Sequence, residues 1–218
     1  RWPKGIREPG RVVGEPVNLS DLAPTFLKAA GLDVPNEMTA ESLLAFFGPD
    51  QTNARKAAYI AMERHDGCRA GGKGYPCRAI RTKDHLLIYN FEPTRWPAGS
   101  PDASVCARSI PFGEVDRSPT KTFMMEYSLR DDVAKLAGLA FGLRPRVELY
   151  DINADPHQMN NLAGLPAWRE TETSLKDDLF DYLRETNDPR VVGGPVLWDY
   201  YPYYGAISTK GWKVDPRP

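Results

Sequence analysis

The sequence predicts an α+β fold in which a small antiparallel sheet carries a helix on one face. From about residue 57, four short runs of strand-forming residues alternate with Gly, Pro, Asp and Asn: AAYIAME, CRAIRT, HLLIYNF and VELYDI. The Lys83-Asp84 pair between the second and third runs indicates a hairpin. Residues 167–186 fit a helix whose apolar side chains lie close to one stripe: Trp168, Leu175, Leu179, Phe180 and Leu183. The sheet and this helix account for residues 57–190.

Size and charge restrict the classes of function. With 218 residues, of which 41% are hydrophobic, the chain is long enough to bury a core. Its formal net charge is −1, so the charge balance implies neither a nucleic acid nor an anionic membrane as a partner. The sequence lacks the run of roughly eighteen apolar residues that spans a bilayer. Any binding of an anion must therefore depend on a local cluster of basic residues.

The segment SDLAPTFLKAAG predicts the first helix. Pro24 falls in the first turn, where a missing N–H is harmless, and Gly31 ends the helix. Its apolar residues follow helical spacing and form one stripe: Leu19, Leu22, Ala23, Phe26, Leu27 and Ala30. Residues 1–17 are extended pieces broken by Pro and Gly, so they provide no layer to cover this stripe. We therefore expect residues 1–56 to be the end of a larger domain.

Two further regions have weaker patterns. A long irregular stretch runs from Glu92 to about Pro119, and the segment TKTFMMEYSLRDDVAKLAGLAFG after it predicts a helix. Residues 191–218 are rich in aromatic residues and proline, without helical or strand periodicity. We expect this tail to wrap along a surface, and the alternative is an aromatic patch that stacks a sugar ring.

The stretch ERHDGCRAGGKGYPCRAIRT, residues 63–82, concentrates charge and cysteine. A zinc site is disfavoured because no second Cys or His cluster accompanies His65, Cys68 and Cys77. Cys68 and Cys77 are a candidate disulfide that would close a Gly-rich loop, and the alternative is two buried thiols.

The same stretch has the composition of an anion-binding surface. Its basic residues surround four glycines that free the backbone to approach a ligand: Arg64, Arg69, Lys73, Arg78 and Arg81. Guanidinium groups suit sulfate, phosphate and carboxylate alike, while Glu63 and Asp66 can accept hydrogen bonds from hydroxyl groups. Mixed charge of this kind fits a polyhydroxylated anionic substrate. The alternative is a charged loop that is simply solvated.

Three blocks, read in order, resemble the C-terminal third of the formylglycine-dependent sulfatases. They are RWPKGIREPGRVVGEPVNLSDLAPTFLKAAGL, VELYDINADPHQMNNLAG and DYLRETNDPR. The similarity is nearest to bacterial sulfatases of the heparan N-sulfatase (sulfamidase) type, in the alkaline phosphatase superfamily. The resemblance implies that residues 1–56 end the large α/β domain and that residues 57–190 form the small C-terminal α+β subdomain.

The resemblance also implies a function for the whole parent protein. Such enzymes hydrolyse sulfate esters or sulfamates of carbohydrates with a formylglycine nucleophile and a bound Ca²⁺, and these residues precede RWPKG in the family. This chain has no matching element, because the C-x-A-x-R pattern from Cys77 to Arg81 lies in a strand-like run without an acidic pair. We therefore expect no catalytic or metal-binding residue here, and an inactive fragment when the upstream sulfatase domain is missing. That domain is expected either in the same parent chain or in a separate chain. By family, the parent is periplasmic or secreted, or lysosomal in a eukaryote.

Substrate contacts are the role that the resemblance leaves to this chain. In this subgroup the region that matches Arg64, His65 and Asp66 faces the substrate pocket, so the resemblance makes these three residues the first candidates for contacts to the sugar. Arg69 and Lys73 are the second candidates. Lys121 is a weaker candidate that we expect to be solvated. Two alternative functions stay open: a phosphonate or phosphodiester hydrolase of the same superfamily, and a non-catalytic module that binds sulfated glycans.

Overall fold

The predicted antiparallel sheet is confirmed. The computed structural model describes residues 2–48, 55–106 and 108–201. Its four strands are β1 (Ala57–Met62), β2 (Cys77–Thr82), β3 (His85–Asn90) and β4 (Val147–Asp151), which are neighbours in chain order and antiparallel throughout. The β2–β3 hairpin turns at the expected Lys83-Asp84 pair. Alternate side chains of each strand point to opposite faces, so the sheet has two different surfaces.

One face of the sheet carries the predicted helix. The helices of the described residues are α1 (Leu22–Ala29), α2 (Pro119–Glu126), α3 (Asp131–Phe141), α4 (Arg169–Glu185) and α5 (Pro189–Val192). The same residues form six short 3-10 segments: Leu19–Asp21, Leu43–Phe47, Ala70–Gly72, Ala103–Val105, Pro166–Trp168 and Leu197–Asp199. The core between α4 and the sheet is built from Ile80, Leu87, Leu149, Leu175, Leu179 and Leu183. Each such side chain contributes roughly 1.5 to 3 kcal/mol when fully buried, so this interface holds the fold together.

The segment predicted as one helix after Pro119 forms two. Helix α2 ends at Glu126, and α3 begins at Asp131 with Asp131 and Asp132 in its first turn. Acidic side chains stabilise a helix N-terminus, and this pair therefore favours a new start over a continuation. The second hydrophobic cluster lies here, formed by Ala98, Val133, Ala137 and Phe141.

Helix α1 leaves its apolar stripe exposed. Leu19 is 87% exposed and Phe26 is 66% exposed among the described residues. This chain buries the opposite side of the helix, where Thr25 and the N-cap residue Asp21 lie. Thr25 Oγ1 accepts a hydrogen bond from the backbone N–H of Leu43 at 2.7 Å, and Asp21 pairs with Arg55. The boundary proposed at residue 56 stays a prediction.

Within the described ranges, no helix combines the length and the apolar character that crossing a bilayer requires. The tail expected to wrap along a surface is described as far as residue 201, and the stretch 202–218 lies outside the described residues.

Candidate functional site

The candidate site is the loop of residues 63–76 between β1 and β2. The loop folds back on its own start, because the backbone N–H of Tyr75 donates to the carbonyl of Glu63 at 3.1 Å. Gly74 makes this approach sterically allowed. A Cβ at Gly74 would lie 2.9 Å from the backbone nitrogen of Arg64, which is closer than non-bonded atoms tolerate. The glycine is thus required at this position by backbone packing.

Glu63 is the centre of an ion-pair network at the base of the loop. Its carboxylate accepts hydrogen bonds from Arg78 Nη2 at 2.7 Å and from Arg190 Nε at 2.8 Å and Nη2 at 2.5 Å. Arg78 Nε also donates to Asp188 at 2.6 Å. Arg78 and Arg190 are almost completely enclosed. Because charges removed from water require partners, this network fixes the start of the loop against α5.

The tail beyond α5 adds a second attachment. The backbone N–H of Gly74 donates to Asp199 Oδ1 at 3.1 Å, and Arg95 Nη1 donates to the carbonyl of Gly74 at 3.0 Å. Arg64 Nη2 donates to the carbonyl of Tyr201. The loop is therefore held from both ends by segments that lie more than a hundred residues away in sequence.

Arg64, His65 and Lys73 are the predicted contact residues that the structure leaves accessible. Arg64 is half-buried, Lys73 is exposed, and the His65 side chain is 78% exposed. His65 Nδ1 lies 2.7 Å from Glu114 Oε2, so the ring is held in one orientation although it faces solvent. Such fixed and exposed polar groups are suited to ligand contact.

Arg69 and Asp66 occupy interior positions instead. Arg69 is 5% exposed and donates to the carbonyls of Trp96 and Pro97, each at 2.7 Å, and to Glu114 at 2.9 Å. Its guanidinium is therefore occupied in holding the loop, and a contact of Arg69 to the substrate stays a prediction. Asp66 is also buried, and its Oδ1 accepts from the backbone N–H of Gly67 at 2.6 Å.

Glu114 is a site residue that the sequence analysis missed. It lies in the stretch that matches no block of the family resemblance, 49 residues from His65. Its carboxylate bridges His65 on the outside and Arg69 on the inside. No local sequence pattern identifies a bridging residue at this separation.

The candidate disulfide between Cys68 and Cys77 is corrected by the structure. All three cysteines are free thiols. Cys68 packs against Gly99 and Gly113, whereas Cys77 begins β2. Cys106 lies beside Cys68, and its Sγ donates to the Cys68 carbonyl at 3.3 Å. Burial raises the pKa of the Cys77 thiol to about 11, so it is a poor nucleophile at neutral pH.

Lys121 is also placed differently from the prediction. It is 5% exposed rather than solvated, and its Nζ donates to the carbonyls of Phe112 at 2.8 Å and Val115 at 2.7 Å. Desolvation lowers the pKa of this ammonium. Lys121 thus holds the loop before α2 in place. Across the described residues, His, Cys, Asp and Glu side chains form no group of three that could hold a metal ion.

Comparison with known proteins agrees with the resemblance. Residues 1–97 match the family model described as "N-sulphoglucosamine sulphohydrolase, C-terminal". The resemblance to the C-terminal region of sulfatases is confirmed. Among curated relatives of this sulfatase-like chain, an ulvan-active sulfatase of Formosa agariphila is 24% identical over 200 residues, which cover 90% of this chain and 35% of the relative. An N-acetylglucosamine-6-O-sulfatase of Bacteroides thetaiotaomicron is 24% identical over 194 residues, covering 87% and 25%.

Two solved structures are similar to part of this chain. One is a protein in complex with its substrate D-glucosamine-2-N,6-O-disulfate, with a TM-score of 0.45 and 23% identity over 78% of this chain and 25% of that one. The other is a 2-O GAG sulfatase, with a TM-score of 0.44, 18% identity and the same coverage. This chain therefore spans about a third or less of the relatives that it matches.

Proposed function

We propose that this chain is the C-terminal part of a carbohydrate sulfatase and that the loop of residues 63–76 contributes to substrate recognition. The observation that carries the proposal is the exposed His65 ring, which Glu114 holds in one orientation beside Arg64. The names of the curated relatives, an ulvan-active sulfatase and an N-acetylglucosamine-6-O-sulfatase, support a sulfated carbohydrate as the substrate class. Which sugar is bound depends on this loop.

The chemistry of the loop fits that substrate class. Lys73 presents an ammonium to solvent, and Arg64 keeps donor groups beyond the one bonded to Tyr201. Sulfate and carboxylate groups accept charge-assisted hydrogen bonds from both kinds of side chain. The second ring nitrogen of His65 is available to a sugar hydroxyl, since only Nδ1 is bonded within the described residues. The three side chains together provide anion and hydroxyl recognition.

The partner that completes the enzyme is an upstream sulfatase domain of the same parent chain. Leu19, in the 3-10 segment before α1, and Leu22 and Phe26 on α1 are exposed, and apolar patches of this kind mark interaction sites. The curated relatives are about three to four times as long as the matched region, which leaves ample chain to form such a domain. We assign the formylglycine nucleophile, the Ca²⁺ site and hydrolysis to that domain, because in the family that this chain resembles these groups precede the segment that matches RWPKG. Export to the periplasm or the exterior is part of the same proposal.

Kinetics of the full-length parent protein test the role of the loop. Arg64→Ala and His65→Ala should each lower kcat/KM for a sulfated oligosaccharide by about tenfold or more, equivalent to about 1.4 kcal/mol of lost transition-state binding. Activity on a small aryl sulfate should change far less, because that substrate cannot reach the loop. The control is Lys135→Ala, an exposed position on α3. Equal losses on both substrates would refute the proposal.

A further inference from the structure

A cavity of about 380 Å³ lies on the sheet face opposite α4. Its floor is formed by strand side chains that point away from the hydrophobic core, including Ile88, Asn90 and Glu148, and its wall by Tyr75, Leu139 and Arg144. The loop after β4, residues 157–159, forms the rim. A volume of this size falls in the range of small-molecule sites.

Tyr75 brings an unsatisfied hydroxyl group to this cavity. The residue is 2% exposed, and its hydroxyl has no hydrogen-bond partner among the described residues. Nearly all buried polar groups in folded proteins are bonded, so an orphan of this kind indicates a missing partner. Burial raises the pKa of Tyr75, and the hydroxyl therefore stays protonated and able to donate at neutral pH.

Two charged residues of opposite sign also line the cavity without pairing to each other. The Glu148 carboxylate is buried and accepts from Asn90 Nδ2 at 2.8 Å and from Tyr150 OH at 2.7 Å. Arg144 forms no ion pair within the part of the chain that the structure describes, and its one hydrogen bond there goes to the carbonyl of Leu139. The cavity thus offers a fixed carboxylate, a phenol and a guanidinium with unused donors.

We propose that this cavity binds one sugar residue that carries an anionic substituent, either a carboxylate or a sulfate. Apolar side chains such as Met62, Ile88 and Leu139 can pack against the C–H face of the ring. Glu148 and Tyr75 can bond to hydroxyl groups, and the planar fork of Arg144 matches an anionic oxygen pair. The choice of carbohydrate rests on the proposed function, whereas the cavity and its polar groups do not.

The test uses saturation-transfer NMR on the full-length protein with three probes: D-glucuronate, D-glucose 6-sulfate and D-glucose. We expect the two anionic sugars to bind at least fivefold more tightly than D-glucose, and their relative affinity distinguishes carboxylate from sulfate. Tyr75→Phe should weaken binding of the better probe at least fivefold without lowering the Tm, because it removes only an unpaired hydroxyl. Arg144→Gln should abolish the preference for the anionic probes.

The controls separate this site from the loop. Lys135→Gln, on the exposed side of α3, should bind all probes as the unchanged protein does. In the Arg64→Ala protein, adding Tyr75→Phe should still weaken binding of the better probe, since Arg64 does not line the cavity. If no probe binds, or if Tyr75→Phe and Arg144→Gln bind like the unchanged protein, the proposal is overturned. The effect of Arg64→Ala on oligosaccharide hydrolysis would still decide the proposed function independently.

Discussion

Arg190 and Glu63, which are 127 residues apart in sequence, form a two-pronged ion pair. Nε and Nη2 of the arginine lie 2.8 Å and 2.5 Å from the two carboxylate oxygens. Because Glu63 immediately precedes Arg64 and His65, the pair determines where these two proposed contact residues lie. The loop of residues 63–76 and α5 are consequently one structural unit, and the specificity that we propose for the loop would depend on residues far beyond it in sequence.

Breaking this pair should destabilise the protein. Arg190→Gln leaves the Glu63 carboxylate paired with Arg78 alone. We expect the free energy of unfolding to fall by about 3 kcal/mol, which is near the lower end of the range for breaking a buried ion pair, because the Glu63 side chain keeps some exposure. Urea unfolding of the full-length protein measures this loss. The matched control is Arg184→Gln, which breaks an exposed pair with Asp181 and should cost less than about 1 kcal/mol. Equal losses in the two variants would contradict this account.

Gly74→Ala tests the backbone packing of the loop. The new Cβ would also lie 2.9 Å from the Glu63 carbonyl carbon, so the loop must shift and oligosaccharide hydrolysis should fall more than aryl sulfate hydrolysis. The control is Gly138→Ala on α3, where a Cβ meets nothing within 4 Å. That variant should keep full activity and gain about 0.5 to 1 kcal/mol from helix propensity. An active Gly74→Ala variant with unchanged kcat/KM would count against the loop geometry.

The exposed stripe of α1 predicts a difference between the isolated chain and the full-length protein. Phe26→Ser should reduce self-association of the 218-residue chain, because an apolar surface is removed. The same change should destabilise the full-length protein by about 1.5 to 3 kcal/mol, since Phe26 would be buried there. Light scattering and urea unfolding measure the two effects, and Lys28→Ser on the same helix is the control. Stability unaffected by Phe26→Ser would show that the upstream domain does not cover the stripe.

Burial of Cys68 predicts a loss of stability in alkaline solution. Burial raises the pKa of this thiol to about 12, well above the usual range of a cysteine. The folded state therefore keeps its proton where the unfolded state releases it, so the free energy of unfolding should fall as the pH rises from about 9 towards 12. Cys68→Ala removes this group, and its unfolding free energy should depend less steeply on pH over that range. The same slope in both proteins would contradict the prediction.

Runs of strand-forming residues bounded by Gly, Pro, Asp and Asn predict the sheet, the Lys83-Asp84 pair predicts the β2–β3 hairpin, and apolar residues at helical spacing predict α4. Helical spacing also predicts the apolar stripe of α1, and its exposure is expected because residues 1–17 provide no layer to cover it. Sequence patterns did not predict the bridge from Glu114 to His65 or the burial of Arg69 and Lys121. Those positions depend on contacts between distant segments, and a charged residue in a loop has no periodic signal that distinguishes burial from solvation.

Hydrogen exchange of the full-length protein, measured with and without a sulfated oligosaccharide, tests recognition by the loop most directly. We expect slower amide exchange in peptides that cover residues 64–73, and unchanged exchange in peptides from α3. Protection confined to the upstream sequence, with the 64–73 peptides unaffected at saturating oligosaccharide, would contradict it.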